Sequence, residues 1–312
     1  MFDIREMPCR WLLARYRLRW RCHTVVATES VIRATKISDS RNERSLMQHA
    51  YAHGHHASVV NSHADRTAAN SAAHLVPLIQ EGMSILDVGC GPGTITADLA
   101  QLTGSGRVVG VDYSEAVIVQ ARERAAARGL TNVSFETGDA YALAAADDSF
   151  GIVTAHQVLH HLQRPVDALR EFRRVVRPGG IVALREVDYG AVFWYPLLPA
   201  LDNWLRIMLA TGDALGAQFS AGRRVGTWAR EAGFSDVTVT GSQWTYANEE
   251  RVRWWGEGWA ERALASSFAT QALELGLATQ SDLMEISEAW LEWSRTPGAF
   301  MQLPHGEVIA RG

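Results

Sequence analysis

Two short stretches hold most of the residues that could do chemistry. The first is YAHGHHASVV, residues 51–60, which carries His53, His55 and His56 between His49 and His63. Imidazole is the commonest metal ligand and a frequent acid–base group. On a helix over residues 43–61, His49, His53 and His56 fall on one face at i, i+4, i+7, a spacing able to ligate a metal. No cysteine lies nearby, and Glu43 and Asp65 are out of step with that face, so no metal is expected. The second stretch is LDVGCGPGT, residues 86–94, where Gly89, Gly91 and Gly93 follow a short apolar run and open a helix-like segment. Backbone without Cβ atoms lets a ligand approach closely there.

Dinucleotide enzymes use the same glycine-rich device, so the neighbouring residues must decide. The spacing is G-x-G-x-G, with Thr94 where a dinucleotide fingerprint has its third small residue. Asp87, beside the loop, would repel a pyrophosphate but suits a ligand with an ammonium group and no phosphates. Asp112 ends the next apolar run, about twenty residues beyond the loop, where a carboxylate can accept both hydroxyls of a ribose. Asp139, in GDA, can accept from an adenine amino group while the Ala140 backbone N–H donates to the ring. Any one aspartate could equally be a turn or cap residue. Three at the ends of three successive strands lie where α/β proteins bind ligands. Together they describe a pocket for adenosine with an amino-acid tail. An NAD(P)-dependent oxidoreductase and a non-catalytic ligand-binding protein are the rival readings.

These residues need a scaffold of alternating strands and helices. SILDVG (84–89), RVVGVDYS (107–114), VSFETGDA (133–140), FGIVTAHQVL (150–159) and IVALREVD (181–188) read as strands. Between them, TITADLAQL, EAVIVQARERAAARG with Gly129 as its cap, and PVDALREFRRVVRPGG with proline at its start read as helices. That alternation specifies a parallel sheet covered on both faces. After Asp188 the texture turns aromatic and helix-prone, and nine of the eleven tryptophans follow residue 190.

LDVGCGPG, GVDYS, GDA and LREFRRVVRPGG together resemble the motifs of class I S-adenosylmethionine (SAM) dependent methyltransferases. The resemblance covers roughly residues 50–190 and the AGF…GEVIAR ending. It is nearest to the ubiquinone/menaquinone C-methyltransferase-like branch found in actinobacterial small-molecule pathways. It implies an α/β, doubly wound, seven-stranded Rossmann-like sheet with an N-terminal helical arm and helical substrate-cap insertions. The implied layout is a disordered or over-extended N-terminus (1–40), a helical arm and lid (41–80) and the SAM-binding core (81–189). A helical cap insertion (190–222), a core helix and strand (223–247), a second helical insertion (248–297) and the final strand (298–312) follow. SAM is the implied cofactor, released as S-adenosylhomocysteine. Tyr113 and Ser114 belong to the ribose motif, and His156 and Gln157 are implied neighbours of the methionine end. Tyr51, on the arm, is expected to close over the pocket.

SAM is an activated electrophile, so the protein has mainly to align a nucleophile and exclude water. An alkene or neutral amine attacks unaided, whereas a phenol or alcohol usually needs a base. His160 and His161, in AHQVLHHL, are the candidate bases. Phe193, Trp194, Tyr195, Phe219, Trp244 and Trp255 are candidates to line an aromatic acceptor chamber, since aromatic faces stabilise cations. Core packing is the alternative use of the same side chains. The expected acceptor is a small hydrophobic natural product, with C-methylation of a prenyl or terpenoid double bond on an indole-type metabolite favoured over O- or N-methylation.

Bulk properties set the outer limits. The chain has 312 residues, 47% hydrophobic and 21% charged, with a formal net charge of −4, which gives no electrostatic case for a nucleic-acid partner. The three cysteines, Cys9, Cys22 and Cys90, are too scattered for a disulfide framework and fit a reducing cytoplasm. No apolar run reaches the length of a membrane span. The first thirty residues hold six arginines, the wrong pattern for a secretory signal. The polar link NSHADRTAAN suggests an arm able to exchange between subunits, and hence a homo-oligomer.

Overall fold

The computed structural model describes residues 65–312. The histidines at 49–63, Tyr51 and most of the expected arm lie outside the described residues.

A single helical turn, α1 (Ala68–Ser71), is closed by a capping box in which Thr67 and Asn70 satisfy each other's backbone N–H groups. The chain then alternates: β1 (Ile85–Val88), α2 (Thr94–Leu102), β2 (Val108–Asp112), α3 (Glu115–Ala127), β3 (Val133–Thr137), β4 (Phe150–His156), α4 (Pro165–Val175) and β5 (Val176–Val187). These five strands are parallel, in the order β3-β2-β1-β4-β5. Every residue of β1 and β4 is buried, because helices cover both faces of the sheet. Leu86, Val88, Val153 and Ala155 face the side packed by Leu169 and Phe172 of α4. Ile85 and Ile152 face the opposite side with Ile95 and Leu99 of α2. This is the period of two expected of a pleated strand.

Beyond β5 the chain forms β6 (Phe193–Tyr195), α5 (Pro199–Leu215), α6 (Val225–Glu231), β7 (Asp236–Tyr246), α7 (Glu249–Ala265), α8 (Ser267–Glu274), α9 (Gln280–Arg295) and β8 (Phe300–Arg311). β8 runs antiparallel between β5 and β7. Two details depart from the sequence reading. The Pro-Gly-Gly after α4 does not delay the fifth strand to residue 181. Phe150 pairs with Val176 and Ile152 with Ile181, so the four intervening residues are absorbed as a bulge within β5. Among the described residues the sheet also has eight strands, one more than the seven expected. The additional one, β6, is a three-residue aromatic run that pairs with the start of β8, inside a stretch expected to be wholly helical. Pro304 sits mid-strand in β8, opposite the gap between the β5 and β6 pairings, where a missing N–H breaks no ladder.

α5, α7, α8 and α9 pack around Trp204, Trp259, Trp290 and Trp293, all fully buried. The same core includes Val187, Tyr246, Met301 and Leu303, which anchors this helical cap to the ends of β5, β7 and β8. Among the described residues no helix is long and apolar enough to cross a membrane.

Candidate active site

The strand order reverses between β1 and β4, and a cleft of about 190 Å³ opens outside their carboxyl ends, where open α/β sheets place ligands. Asp87, Gly89 and Gly91 form its floor, Asp112, Tyr113 and Ser114 one wall, and Asp139 and Ala140 the far end. Gly93 follows at the loop's end as the N-cap of α2. The Asp112 carboxylate is fixed by two backbone donors, Gly91 N–H to Oδ2 and Ser114 N–H to Oδ1, both at 3.0 Å. It therefore ties the glycine loop to the end of β2. Asp139 Oδ1 accepts the Tyr141 N–H at 2.8 Å in an Asx turn.

The cleft fits SAM on three observations. A Cβ built on Gly91, which has φ +55°, would meet no protein atom within 4 Å, so the loop backbone faces open ligand space. Asp87 is fully enclosed and its pKa is pushed up to about 7, chiefly by burial, so it favours a cationic partner such as an ammonium group. His156 is buried with neither ring nitrogen hydrogen-bonded among the described residues. Burial holds its pKa well below the usual histidine value, which leaves two neutral polar atoms beside the ligand space.

At the end of β4, Gln157 adopts φ +54°, a left-handed conformation unusual for this residue type. Two hydrogen bonds fix its side chain. Its Oε1 accepts from Arg66 at 2.8 Å, and its amide donates to His305 Nε2 at 2.7 Å. His305 is held in turn by its Nδ1–H donating to the Leu303 carbonyl at 2.9 Å. Behind them Arg185 donates to Ser242 at 3.0 Å and faces Glu307 at 3.3 Å. The Arg185 guanidinium also lies 5.0 Å from the Trp244 ring centroid.

The loop after β4 is gathered by one buried carboxylate. Glu186 Oε1 accepts the Val158 and Leu159 N–H groups at 2.9 and 2.7 Å. Its Oε2 accepts the His160 N–H at 3.3 Å and the His160 Nδ1–H at 2.8 Å. The Nδ1 contact fixes the orientation of the His160 ring against Glu186. His161 lines the cleft and packs against His160, with centroids 3.8 Å apart.

A second, narrower pocket adjoins the first and shares Arg66, Gln157 and His161 with it. His160, Tyr189, Trp244, Tyr246 and Trp255 line it. Of the aromatic residues singled out in the sequence, Trp244 and Trp255 are therefore at this pocket. Phe219 stands one layer behind, against both histidines. Trp194 is in the helical core against Trp204, while Phe193 and Tyr195 are exposed on β6 and line neither pocket. Alternation along this short strand turns the central ring inward and its two neighbours outward.

Sequence reasoning passed over Glu186, Arg66, Tyr189, Tyr246, Arg251 and Arg262. A signal existed for Glu186: a charged Arg185–Glu186 pair inside IVALREV, an otherwise apolar strand. No local pattern marks the others, which come from different elements.

Residues 79–238 match the family model described as a methyltransferase domain. An uncharacterized methyltransferase of Schizosaccharomyces pombe is 32% identical over 268 residues, covering 83% of this chain and 95% of that protein. A demethylmenaquinone methyltransferase of Shouchella clausii is 38% identical over 111 residues, covering 35% of this chain and 47% of its own length. Among solved structures, the YcgJ protein of Bacillus subtilis superposes with a TM-score of 0.50 at 19% identity, over 77% of this chain and 98% of that one, a likeness of fold.

Proposed function

Because this chain belongs to the SAM-dependent methyltransferase family, we propose that it methylates a small molecule with an aromatic or terpenoid body, held in the second pocket. The observation that carries this reading is the junction of the two pockets at Arg66, Gln157 and His161, with Trp244, Tyr246 and Trp255 lining the second. When bound, SAM supplies an electrophilic methyl group on a sulfonium. Asp112 holds the ribose hydroxyls, Asp87 the ammonium group, and Asp139 with Ala140 the adenine. His156 and Gln157 border the methionine end. Trp244, Tyr246 and Trp255 orient the acceptor and keep water from it.

The first acceptor we propose is a prenyl or terpenoid double bond on an indole-type metabolite, methylated at carbon. Attack by the alkene leaves a carbocation that aromatic faces stabilise and that is quenched by cyclisation or by loss of a proton. His160, oriented by Glu186, is the residue placed to take that proton. The same dyad supports a second reading, O- or N-methylation of an aromatic metabolite, in which His160 Nε2 deprotonates the attacking group.

Incubation of the protein with SAM carrying a carbon-13 methyl group and an acidified organic extract of the source organism tests the proposal. Label is expected in an aromatic or terpenoid component, and its methyl resonance distinguishes carbon from heteroatom attachment. Label confined to polar, water-soluble products would remove the reading.

A further inference from the structure

Gln157 stands where the two pockets meet, and His305 decides which way its amide is turned. The His305 Nδ1–H donates to the Leu303 carbonyl at 2.9 Å, and a carbonyl can only accept. Burial, with the Arg185 guanidinium as a smaller cause, holds the His305 pKa well below the usual histidine value. The ring is therefore neutral and Nε2 keeps its lone pair. The 2.7 Å contact between Nε2 and Gln157 is then an amide N–H donated to the ring. That leaves the amide oxygen to accept from Arg66 at 2.8 Å. Turned over, the amide would set its oxygen against a lone pair and its N–H groups against a guanidinium, and both contacts would become repulsive.

An amide nitrogen carries two hydrogens. One is committed to His305, and among the described residues the other has no group to donate to. Gln157 is held there at φ +54°, a backbone conformation that persists only where the surroundings over-determine it and that clusters at ligand sites. His305 packs edge-on to Trp244, with centroids 4.7 Å apart, and Trp244 lines the second pocket and not the first. The amide is thus anchored on the second-pocket side of the junction. Trp255 repeats the pattern. It is 5% exposed and lines the same pocket, and its indole N–H is buried with nothing to donate to among the described residues. Uncharged donors left unpaired in an aromatic pocket are costly unless a ligand supplies a lone pair.

We infer that Gln157 determines specificity for the methyl acceptor: its second amide N–H donates to an uncharged carbonyl or hydroxyl oxygen carried on the aromatic or terpenoid body. His305 is the positioning residue that keeps the N–H, and not the amide oxygen, turned to the ligand. The inference rests on the second pocket being the acceptor site. A methyl acceptor built of hydrocarbon alone leaves the donor unpaired and is bound more weakly for that reason.

The test uses the full chain saturated with S-adenosylhomocysteine and two probes of one shape, 2-acetylnaphthalene and 2-isopropenylnaphthalene. They differ only in a carbonyl oxygen against a methylene group. The ketone is expected to bind about three- to tenfold more tightly, the worth of one net hydrogen bond. It should also move the Gln157 side-chain amide proton downfield, a resonance identified by its absence from Gln157→Leu. His305→Phe should remove both effects, and His305→Gln, which offers an amide oxygen in place of Nε2, should restore them. Nitrogen NMR of the unmodified protein needs no variant and should show His305 protonated at Nδ1 and bare at Nε2. The inference is overturned if the probes bind equally or not at all, if the ketone leaves the Gln157 resonance unmoved, or if Nε2 of His305 carries the proton. Survival of both effects in His305→Phe, or their absence from a folded His305→Gln, would remove His305 as the positioning residue. Failure of the methyltransferase reading would look different: the unmodified protein would not bind S-adenosylhomocysteine at all.

Discussion

Burial at the end of β1 raises the Asp87 pKa from 3.8 to about 7, against the opposing hydrogen bond from the Thr96 hydroxyl at 2.6 Å. In the ligand-free protein this group costs no stability below the unfolded value of about 4; the cost grows as pH rises towards 7 and is constant above it. A shift of this size corresponds to about 4 kcal/mol, to order of magnitude. An ammonium group placed beside the carboxylate reverses that cost by stabilising the charged form. S-adenosylhomocysteine should therefore bind more weakly as pH falls below 7, by up to about tenfold per pH unit. Asp87→Asn should flatten that dependence, and calorimetry between about pH 5.5 and 8 measures both. A flat profile in the unmodified protein would remove Asp87 as the ammonium partner. Asp87 was legible in the sequence because it sits at a strand end beside the glycines. Its raised pKa was not, since that comes from burial, with a smaller contribution from the neighbouring Asp112 carboxylate, against the Thr96 hydrogen bond.

At the scale of elements, the glycine loop and the loop after β4 lean on each other. Gly89 has φ +71°, and a Cβ there would fall 2.3 Å from Val158 Cγ2. Gly89→Ala should thus impose both backbone strain and a clash, costing about 1–3 kcal/mol of stability. It should also weaken S-adenosylhomocysteine binding measurably. Adding Val158→Ala should recover the clash part but not the strain, and denaturant unfolding of the two variants separates them. Equal stabilities would mean that the loops do not depend on this approach. The strand–helix alternation that positions these loops was readable because each element declares its own period. The bulge at residues 177–180 was not, because Pro-Gly-Gly marks a break whether the chain leaves the sheet or buckles within it. β6 was missed for a related reason: three aromatic residues are too short a run to show a period.

For the whole molecule, the α/β sheet and the helical cap have distinct cores. Trp204 is the centre of the cap, edge-on to Trp259 at 4.8 Å and to Trp290 at 4.9 Å. Trp204→Ala should lower stability by about 3–5 kcal/mol, the usual cost of emptying a fully buried aromatic site. Affinity for S-adenosylhomocysteine should change little, because the cofactor cleft is lined from β1–β4 and their loops. Chemical denaturation paired with ligand titration checks both halves. A loss below about 1 kcal/mol would show that the cap does not depend on this cluster. The tryptophan-rich composition signalled such a cap, but not which rings face its core and which line the second pocket.

That the residues lining the first cleft would meet at one place could be read from the sequence. Asp87, Asp112 and Asp139 lie at or just beyond the ends of three strands, and a parallel sheet brings successive strand ends together without further information. The second pocket was decided by tertiary structure. Arg66 precedes the first strand, Glu186 and Tyr189 lie at and just beyond the end of β5, Tyr246 ends β7, and Arg251 and Arg262 are on α7. Only the packing of the cap over the sheet makes these distant residues neighbours. Side-chain types there carry no spacing to read, because the distances that matter run through space and not along the chain.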